Sequence, residues 1–129
     1  MKSKTNLLTA FVLMFLLSGN VFGQQSDKQL VRLAKLVIDS TQLKNYNALL
    51  IEEIEASLAL EPGVLTLYAV AEKNSPNHIT ILEIYANDEA YKKHIQTPHF
   101  QKYKNGTKEM VKSLELVETI PLIPGIKIR

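Results

Sequence analysis

The sequence predicts an α+β fold in which four strands and two helical regions follow one another in the order β-α-β-β-α-β. Two observations support this: short apolar runs are bounded by turn residues, and the intervening segments repeat apolar residues every three or four positions. The chain has 129 residues, enough for one domain with its own core. It has no cysteine, which excludes a disulfide scaffold, a zinc-finger framework, a thiol nucleophile and a lipoprotein anchor.

The first 23 residues have the pattern of a secretory signal peptide. Lys2 and Lys4 precede an apolar run at 7–17, and Val21 and Gly23 occupy the −3 and −1 positions of a cleavage site. The run is shorter than the roughly 20 apolar residues that span a bilayer, so no stable membrane anchor is expected. We therefore expect a secreted or periplasmic protein that is cleaved after about Gly23.

The charge balance supports no nucleic-acid partner. The whole chain has 15 lysines and arginines against 13 acidic residues, a net charge of +2. Removing the signal peptide removes two lysines and no acid, which leaves 13 against 13 and a neutral mature chain. A nucleic-acid-binding surface would need a basic stripe with interleaved aromatic residues.

The first half of the mature chain predicts a strand and a helix after a polar leader at 24–29. The apolar run at 30–38 is typical of a strand, and Asp39 or Ser40 can cap the helix that follows. That helix should end near Leu60, because Pro62 and Gly63 follow. Glu52, Glu53 and Glu55 lie mostly off its apolar stripe, which consists of Leu43, Tyr46, Leu50, Ile54 and Leu58.

The second half predicts a hairpin, two short helices and a last strand. Strands at 64–71 and 78–86 flank a turn cluster at 73–77. Asn87 can cap one helix, and Thr97 with Pro98 can begin another whose apolar face extends to Leu114. The last strand is expected at 114–120. The domain therefore spans 30–122, and 123–129 forms a C-terminal tail.

This order is the ferredoxin-like split arrangement, a four-stranded antiparallel sheet with helices on one face. Both faces of the sheet are apolar, whereas a sheet with one wet face alternates between apolar and polar residues. The predicted second strand, for example, places Leu65, Leu67 and Ala69 on one side and Val64, Tyr68 and Val70 on the other. The uncovered face predicts a homodimer in which two sheets pack together.

The three histidines are candidates for chemistry. His94 lies on the apolar stripe of its short helix, where it is either a satisfied core residue or a general base. His99 is either a pocket residue or a surface residue, and His78 is expected to be exposed or to cap a turn. The spacing of His94 and His99 across a Thr-Pro break is poor for two ligands on one helix face, so no metal site is expected.

Glu83 is the one carboxylate in an otherwise apolar strand face, beside Ile79, Ile81 and Tyr85. It is either buried with a partner, for which Arg32 is available, or directed into a cavity. Several aromatic residues could line a pocket or simply fill the core: Tyr68, Tyr85, Phe100 and Tyr103.

Three stretches carry a resemblance to a known family: EPGVLTLYAV at 61–70, ITILEIYANDEAYKKHIQTPHF at 79–100 and LELVE at 114–118. In these the sequence resembles the antibiotic biosynthesis monooxygenases, in particular their quinol-monooxygenase-like branch. The resemblance implies a dimeric α+β barrel with a pocket between sheet and helices in each subunit. It also implies that a quinol or another electron-rich aromatic is oxygenated without metal, flavin or other cofactor.

In that scheme the resemblance makes His94 the base. The pocket residues would then be Tyr68, Glu83, Tyr85, His99, Phe100 and Tyr103. Haem-degrading relatives use an Asn on the first strand and a Trp, and this chain has neither, which disfavours a haem substrate. The alternative to an enzyme is a non-catalytic dimeric module of the exported compartment that binds a small ligand.

Overall fold

The computed structural model describes residues 28–125, so the predicted signal peptide lies outside the described residues. The strands are β1 (Leu30–Ile38), β2 (Val64–Glu72), β3 (Ser75–Tyr85) and β4 (Val111–Glu118). The helices are α1 (Leu43–Leu60), α2 (Asp88–His94) and α3 (Pro98–Thr107), and a short 3-10 turn at Ser40–Gln42 precedes α1.

The four strands form one antiparallel sheet in the order β2-β3-β1-β4. The central strands β3 and β1 come from the two halves of the chain, which joins the two β-α-β units into one layer. This confirms the ferredoxin-like α+β arrangement expected from the sequence.

The polar residues expected to begin the helices do so. Asp39 accepts a hydrogen bond from the backbone N–H of Thr41, which begins the 3-10 turn before α1. The Asn87 side chain accepts from the N–H of Ala90 at 2.8 Å and begins α2. Thr97 caps α3 in the same way, with Pro98 at its first position.

The core lies between the helices and one face of the sheet, which we call the inner face. Its buried residues alternate along β1 and β3, as the pleat requires, and meet the apolar stripe of α1. They are Ala34, Leu36, Ile38, Tyr46, Leu50, Ile79 and Ile81.

The opposite, outer face is also apolar. A row of aligned residues crosses it from β4 to β2: Val117, Leu33, Leu82 and Tyr68. Tyr68 is 66% exposed, and Val70, two residues along the same strand, is 50% exposed. Large apolar side chains in contiguous exposed rows are typical of an interaction surface.

The expected alternation along β2 is wrong at its beginning. A bulge between Val64 and Thr66 adds one residue, so Val64 and Leu67 both lie in the core while Leu65 is exposed. A bulge puts two residues opposite one on the neighbouring strand and therefore reverses the faces beyond it. No local pattern of residues marks this extra residue.

Two other boundaries differ from those expected. The hairpin is tighter, because Glu72 pairs with Ser75 and only Lys73 and Asn74 form the turn. Likewise α3 ends at Thr107 and β4 begins at Val111, not at Leu114. Val111 pairs with Ile38 on β1, so β4 begins earlier than expected. Local periodicity cannot predict this contact, because its two residues are far apart in the chain.

Gly63 gives a test of how closely α2 packs on the turn before β2. A Cβ at this position would lie 2.6 Å from the Cβ of Ala90, closer than side chains approach each other. Gly63→Ala should therefore lower the free energy of unfolding by about 1–3 kcal/mol, measured by urea denaturation.

Gly106 in α3 is the matched control. A Cβ there meets only the flexible side chain of Leu49, with Cδ1 at 3.3 Å and Cδ2 at 3.9 Å. Gly106→Ala should leave stability unchanged or raise it by up to about 1 kcal/mol, because alanine favours the helix. Equal losses in both variants would contradict the close approach at Gly63.

Candidate functional site

A cavity of about 570 Å³ lies between the inner face of the sheet and helices α1 and α3. Its walls combine aliphatic and aromatic side chains with a few polar groups. On the β4 side, Leu114 and Leu116 line the cavity yet are 42% and 49% exposed, so this edge is open. Such a volume is within the range of small-molecule sites.

His94 stands at one end of this cavity. It is the last residue of α2 and is only 2% exposed. Its ring packs against Tyr85 and Phe100, with centroid separations of 5.3 Å and 5.1 Å. The aromatic contacts fix the plane of the imidazole, so its two nitrogens face different partners.

The Nδ1 atom of His94 faces Glu61, the residue that ends α1. The Oε2 atom of Glu61 is 3.0 Å from His94 Nδ1 and 2.6 Å from His99 Nε2. Burial alone would raise the pKa of Glu61, but the hydrogen bonds from His99 and His94 outweigh it and hold this pKa below its usual value. An ionised carboxylate only accepts, so both rings must donate to it.

The Nε2 atom of His94 faces Glu53, a cavity residue on α1, at 3.4 Å. Ser57 donates a hydrogen bond of 2.7 Å to the same Glu53 oxygen. Burial raises the pKa of Glu53 in spite of that bond and of the neighbouring His94. In the tautomer that donates through Nδ1, the lone pair at Nε2 faces Glu53 at the cavity wall.

Glu83 is a second carboxyl group that lines the cavity. Its pKa is raised by burial, even though Tyr85 donates a hydrogen bond of 2.9 Å to its Oε1 atom. Arg32 is its cross-strand neighbour but forms its ion pair with Glu118, at 2.7 Å. Glu83 therefore lines the cavity, as one of the two expectations for it stated. The other expectation, an ion pair with Arg32, is wrong because β4 offers Arg32 a closer carboxylate.

The guanidinium group of Arg32 also lies over the ring of Tyr91, with its carbon 4.4 Å from the ring centroid. Tyr103 also lines the cavity, and its hydroxyl is 2.7 Å from that of the buried Tyr46. Burial raises the pKa of Tyr103 to about 12, so it remains a neutral hydroxyl. In the described residues every buried side-chain polar atom has a hydrogen-bond partner.

The structure brings together most of the residues chosen from the sequence. Five of them line the cavity: Glu83, Tyr85, His94, Phe100 and Tyr103. His99 does not line the cavity, and its Nε2 atom is instead hydrogen-bonded to Glu61. Tyr68 lies on the outer face, so its assignment to the pocket is wrong: on the pleated strand it follows the inward-facing Leu67.

His94 and His99 lie on different helices, so their poor spacing for one helix face does not keep their side chains apart. The ligand atoms of Glu61, His94 and His99 lie within 4.8 Å of one another, a set that could hold a metal ion. Their separations of 2.6 Å and 3.0 Å are those of hydrogen bonds, which account for the cluster without an ion.

Sequence reasoning missed Glu53 and Glu61. Glu53 belongs to a run of acids that the sequence pattern places mostly off the apolar stripe of an amphipathic helix. One signal could have found it, since it lies three residues after Leu50 and seven after Tyr46, on the buried stripe. Glu61 stands before Pro62 at a helix end and has no such signal.

Comparison with known proteins shows the family and the fold of the chain. The model of the antibiotic biosynthesis monooxygenase family matches residues 30–106. The chain belongs to this family. No curated protein matches it in sequence.

Solved structures of similar proteins share the fold. A protein of Bacteroides thetaiotaomicron, provisionally named an antibiotic biosynthesis monooxygenase, is 62% identical with a TM-score of 0.78, over 79% of this chain and 97% of that chain. A provisionally named monooxygenase of Lactobacillus acidophilus is 33% identical with a TM-score of 0.68, over 70% of this chain and 43% of that chain. At 15% identity, a protein of Nitrosomonas europaea shows the fold alone, with a TM-score of 0.69 over 76% and 93% of the two chains.

Glu83→Gln tests the burial of a titratable carboxyl in the cavity. A raised pKa means that the folded state favours the protonated form, so wild-type stability is lost as pH rises through that folded pKa. The amide is neutral at every pH and still accepts from Tyr85. In urea unfolding the variant should match wild type at pH 4 and exceed it at pH 8.

Glu55→Gln, at an exposed position of α1, is the control and should follow wild type at both pH values. A difference between Glu83→Gln and wild type that stays constant from pH 4 to pH 8 would contradict the raised pKa.

Proposed function

We propose that this protein is a cofactor-independent monooxygenase that oxidises a quinol or another electron-rich hydroxylated aromatic. The observation that carries the proposal is the placement of His94 at the cavity wall, with Nδ1 engaged by Glu61 and Nε2 directed away from it. Membership of the monooxygenase family supports the class of reaction.

His94 is the base in this proposal. A neutral imidazole whose Nδ1–H is held by a carboxylate accepts a proton at Nε2, and the negative charge of Glu61 stabilises the imidazolium that forms. The phenolic proton of the bound quinol moves to Nε2. Glu53, 3.4 Å from that nitrogen, is within reach to relay this proton.

The substrate supplies the electrons. Once deprotonated, the aromatic ring donates one electron to dioxygen, and the two radicals combine to form a carbon–oxygen bond. The hydroperoxide then loses water and leaves a carbonyl, so one oxygen atom enters the ring and the other becomes water. For hydroquinone the balance is hydroquinone plus dioxygen giving hydroxybenzoquinone plus water. Apolar side chains beside Glu83 and His94, such as Leu67 and Phe100, exclude solvent from the reactive ring.

The catalytic role of His94 is tested by oxygen uptake with a panel of hydroquinones. His94→Gln should lower the rate by about 100-fold or more, the usual worth of a positioned base. His78→Gln is the matched control, because this residue is half-exposed at the β2–β3 hairpin and should leave the rate unchanged.

Full activity of His94→Gln would remove His94 from the mechanism. If the wild-type protein consumes no oxygen with any hydroquinone, catalysis of this class is wrong, and the chain is the small-ligand-binding module that the sequence left as the alternative.

We also propose that the outer face of the sheet forms a homodimer. Its exposed apolar rows need cover, and none of the described helices packs there, since their buried residues belong to the inner-face core. Sedimentation equilibrium at micromolar concentration should give a dimer for wild type. Leu82→Lys, in the centre of the outer face, should give a monomer with its secondary structure intact. A wild-type monomer would contradict the proposal.

We also propose that the protein is exported and that its signal peptide is cleaved after about Gly23. None of the helices in the described part of the chain is long and apolar enough to cross a membrane. N-terminal sequencing of the protein made in its own host should begin near Gln24, and a retained Met1 would contradict the signal peptide.

A further inference from the structure

The cavity has two chemically different ends. At one end lie His94, Glu53, Glu83 and Tyr85. At the other, three lysines line the rim: Lys104 on α3, Lys108 just after α3 and Lys112 on β4. We call these three residues the lysine rim. The carboxylates that line the cavity, Glu53 and Glu83, both belong to the first end.

The separation of the ends follows from the register of β1. Arg32 stands in the same row as Glu83, whereas Val37 and Ile38 pair with the beginning of β4, where Lys112 lies. Five residues of strand correspond to about 16 Å. Helix α3 gives a similar length, because Pro98 and Lys108 are ten residues apart, or about 15 Å.

The charges of the lysine rim are not neutralised by ion pairs in the described residues. Lys92 and Lys102 have carboxylates within ion-pair distance, at Asp88 and Glu52. No carboxylate of the described residues lies within 4 Å of the lysine rim; Asp39 lies near Lys112, but its Oδ1 atom is bound to Thr41. In a chain whose charges nearly cancel, three such lysines on one rim of an apolar cavity form a local positive field.

The middle of the cavity is apolar. Leu50, Ile54, Ile81 and Leu116 stand between the two ends, with Phe100 and Tyr103 on the helix side. A small quinol at the His94 end would leave this length of apolar wall, and the lysine rim beyond it, without contact.

We propose that the cavity takes an elongated amphipathic ligand, with a hydroxylated aromatic head at the His94 end and an anionic group attached to it at the lysine rim. The aromatic head rests on the proposed function, whereas the anionic end rests on the lysine rim alone. The substrate class is thus a hydroxylated aromatic of about 10–15 Å with an acidic group attached, of which a bare hydroquinone represents only the reacting head.

Two fluorescent probes that share one skeleton test the anionic end. 8-Anilinonaphthalene-1-sulfonate carries a sulfonate, and N-phenyl-1-naphthylamine lacks it. Replacing the lysine rim (Lys104→Gln, Lys108→Gln, Lys112→Gln) should raise the Kd of the sulfonate about tenfold, because several exposed charge contacts are lost. The Kd of the neutral probe should change less than about twofold.

A second triple variant separates the rim from net charge. Lys44, Lys73 and Lys93 are exposed and do not line the cavity, so replacing them with Gln should leave both Kd values unchanged. Leu116→Trp narrows the cavity from its open edge and should weaken both probes. Raising the salt concentration should weaken only the sulfonate.

The proposal is overturned if the two lysine variants act alike, if both probes respond equally to loss of the rim, or if Leu116→Trp leaves sulfonate binding intact. Binding needs no turnover, so its failure is separate from that of the proposed function. A protein that binds the sulfonate through the rim but never consumes oxygen keeps this inference and loses the monooxygenase.

Discussion

The carboxylate of Glu61 is the contact on which the site depends. It ends α1, and it accepts hydrogen bonds from His94 at the end of α2 and from His99 in the first turn of α3. A buried carboxylate is stable only when its oxygens have donors, so the three helix ends are held together at one point. The same contact favours the proton of the His94 ring at Nδ1 and leaves Nε2 facing Glu53 at the cavity wall.

The pKa values of three glutamates near this point are shifted in different directions, because their carboxyl groups have different hydrogen-bond donors. Burial raises the pKa of Glu53 and Glu83, each of which has a single hydroxyl donor. Glu61 has two imidazole donors, and its pKa is lowered in spite of burial. Around one histidine there are thus carboxyl groups that hold a proton more readily and one that stays charged more readily. Opposite pKa shifts of neighbouring acids are common at functional sites.

The sequence was sufficient for the type and order of the elements. Apolar periodicity separated strands from helices, and Asn87, Thr97 and Pro98 marked two helix beginnings correctly because capping is a local hydrogen bond. It failed where pairing between distant strands decides. The bulge after Val64 and the early start of β4 at Val111 exist because β3 and β1 offer partners there, and no residue nearby encodes them.

For the site, the sequence alone determined that His94 and Glu83 are polar groups on apolar faces. A helix face repeats about every four residues and a strand face every two, so either can be recognised within one segment. It also determined the family, through residues close together in the chain. Only the tertiary structure decided that Glu53 and Glu61 flank His94, that Tyr68 faces outwards and that the lysine rim stands at the far end of the cavity. These facts depend on how helices lie over a sheet, and contacts between residues far apart in the chain leave no periodic trace in it.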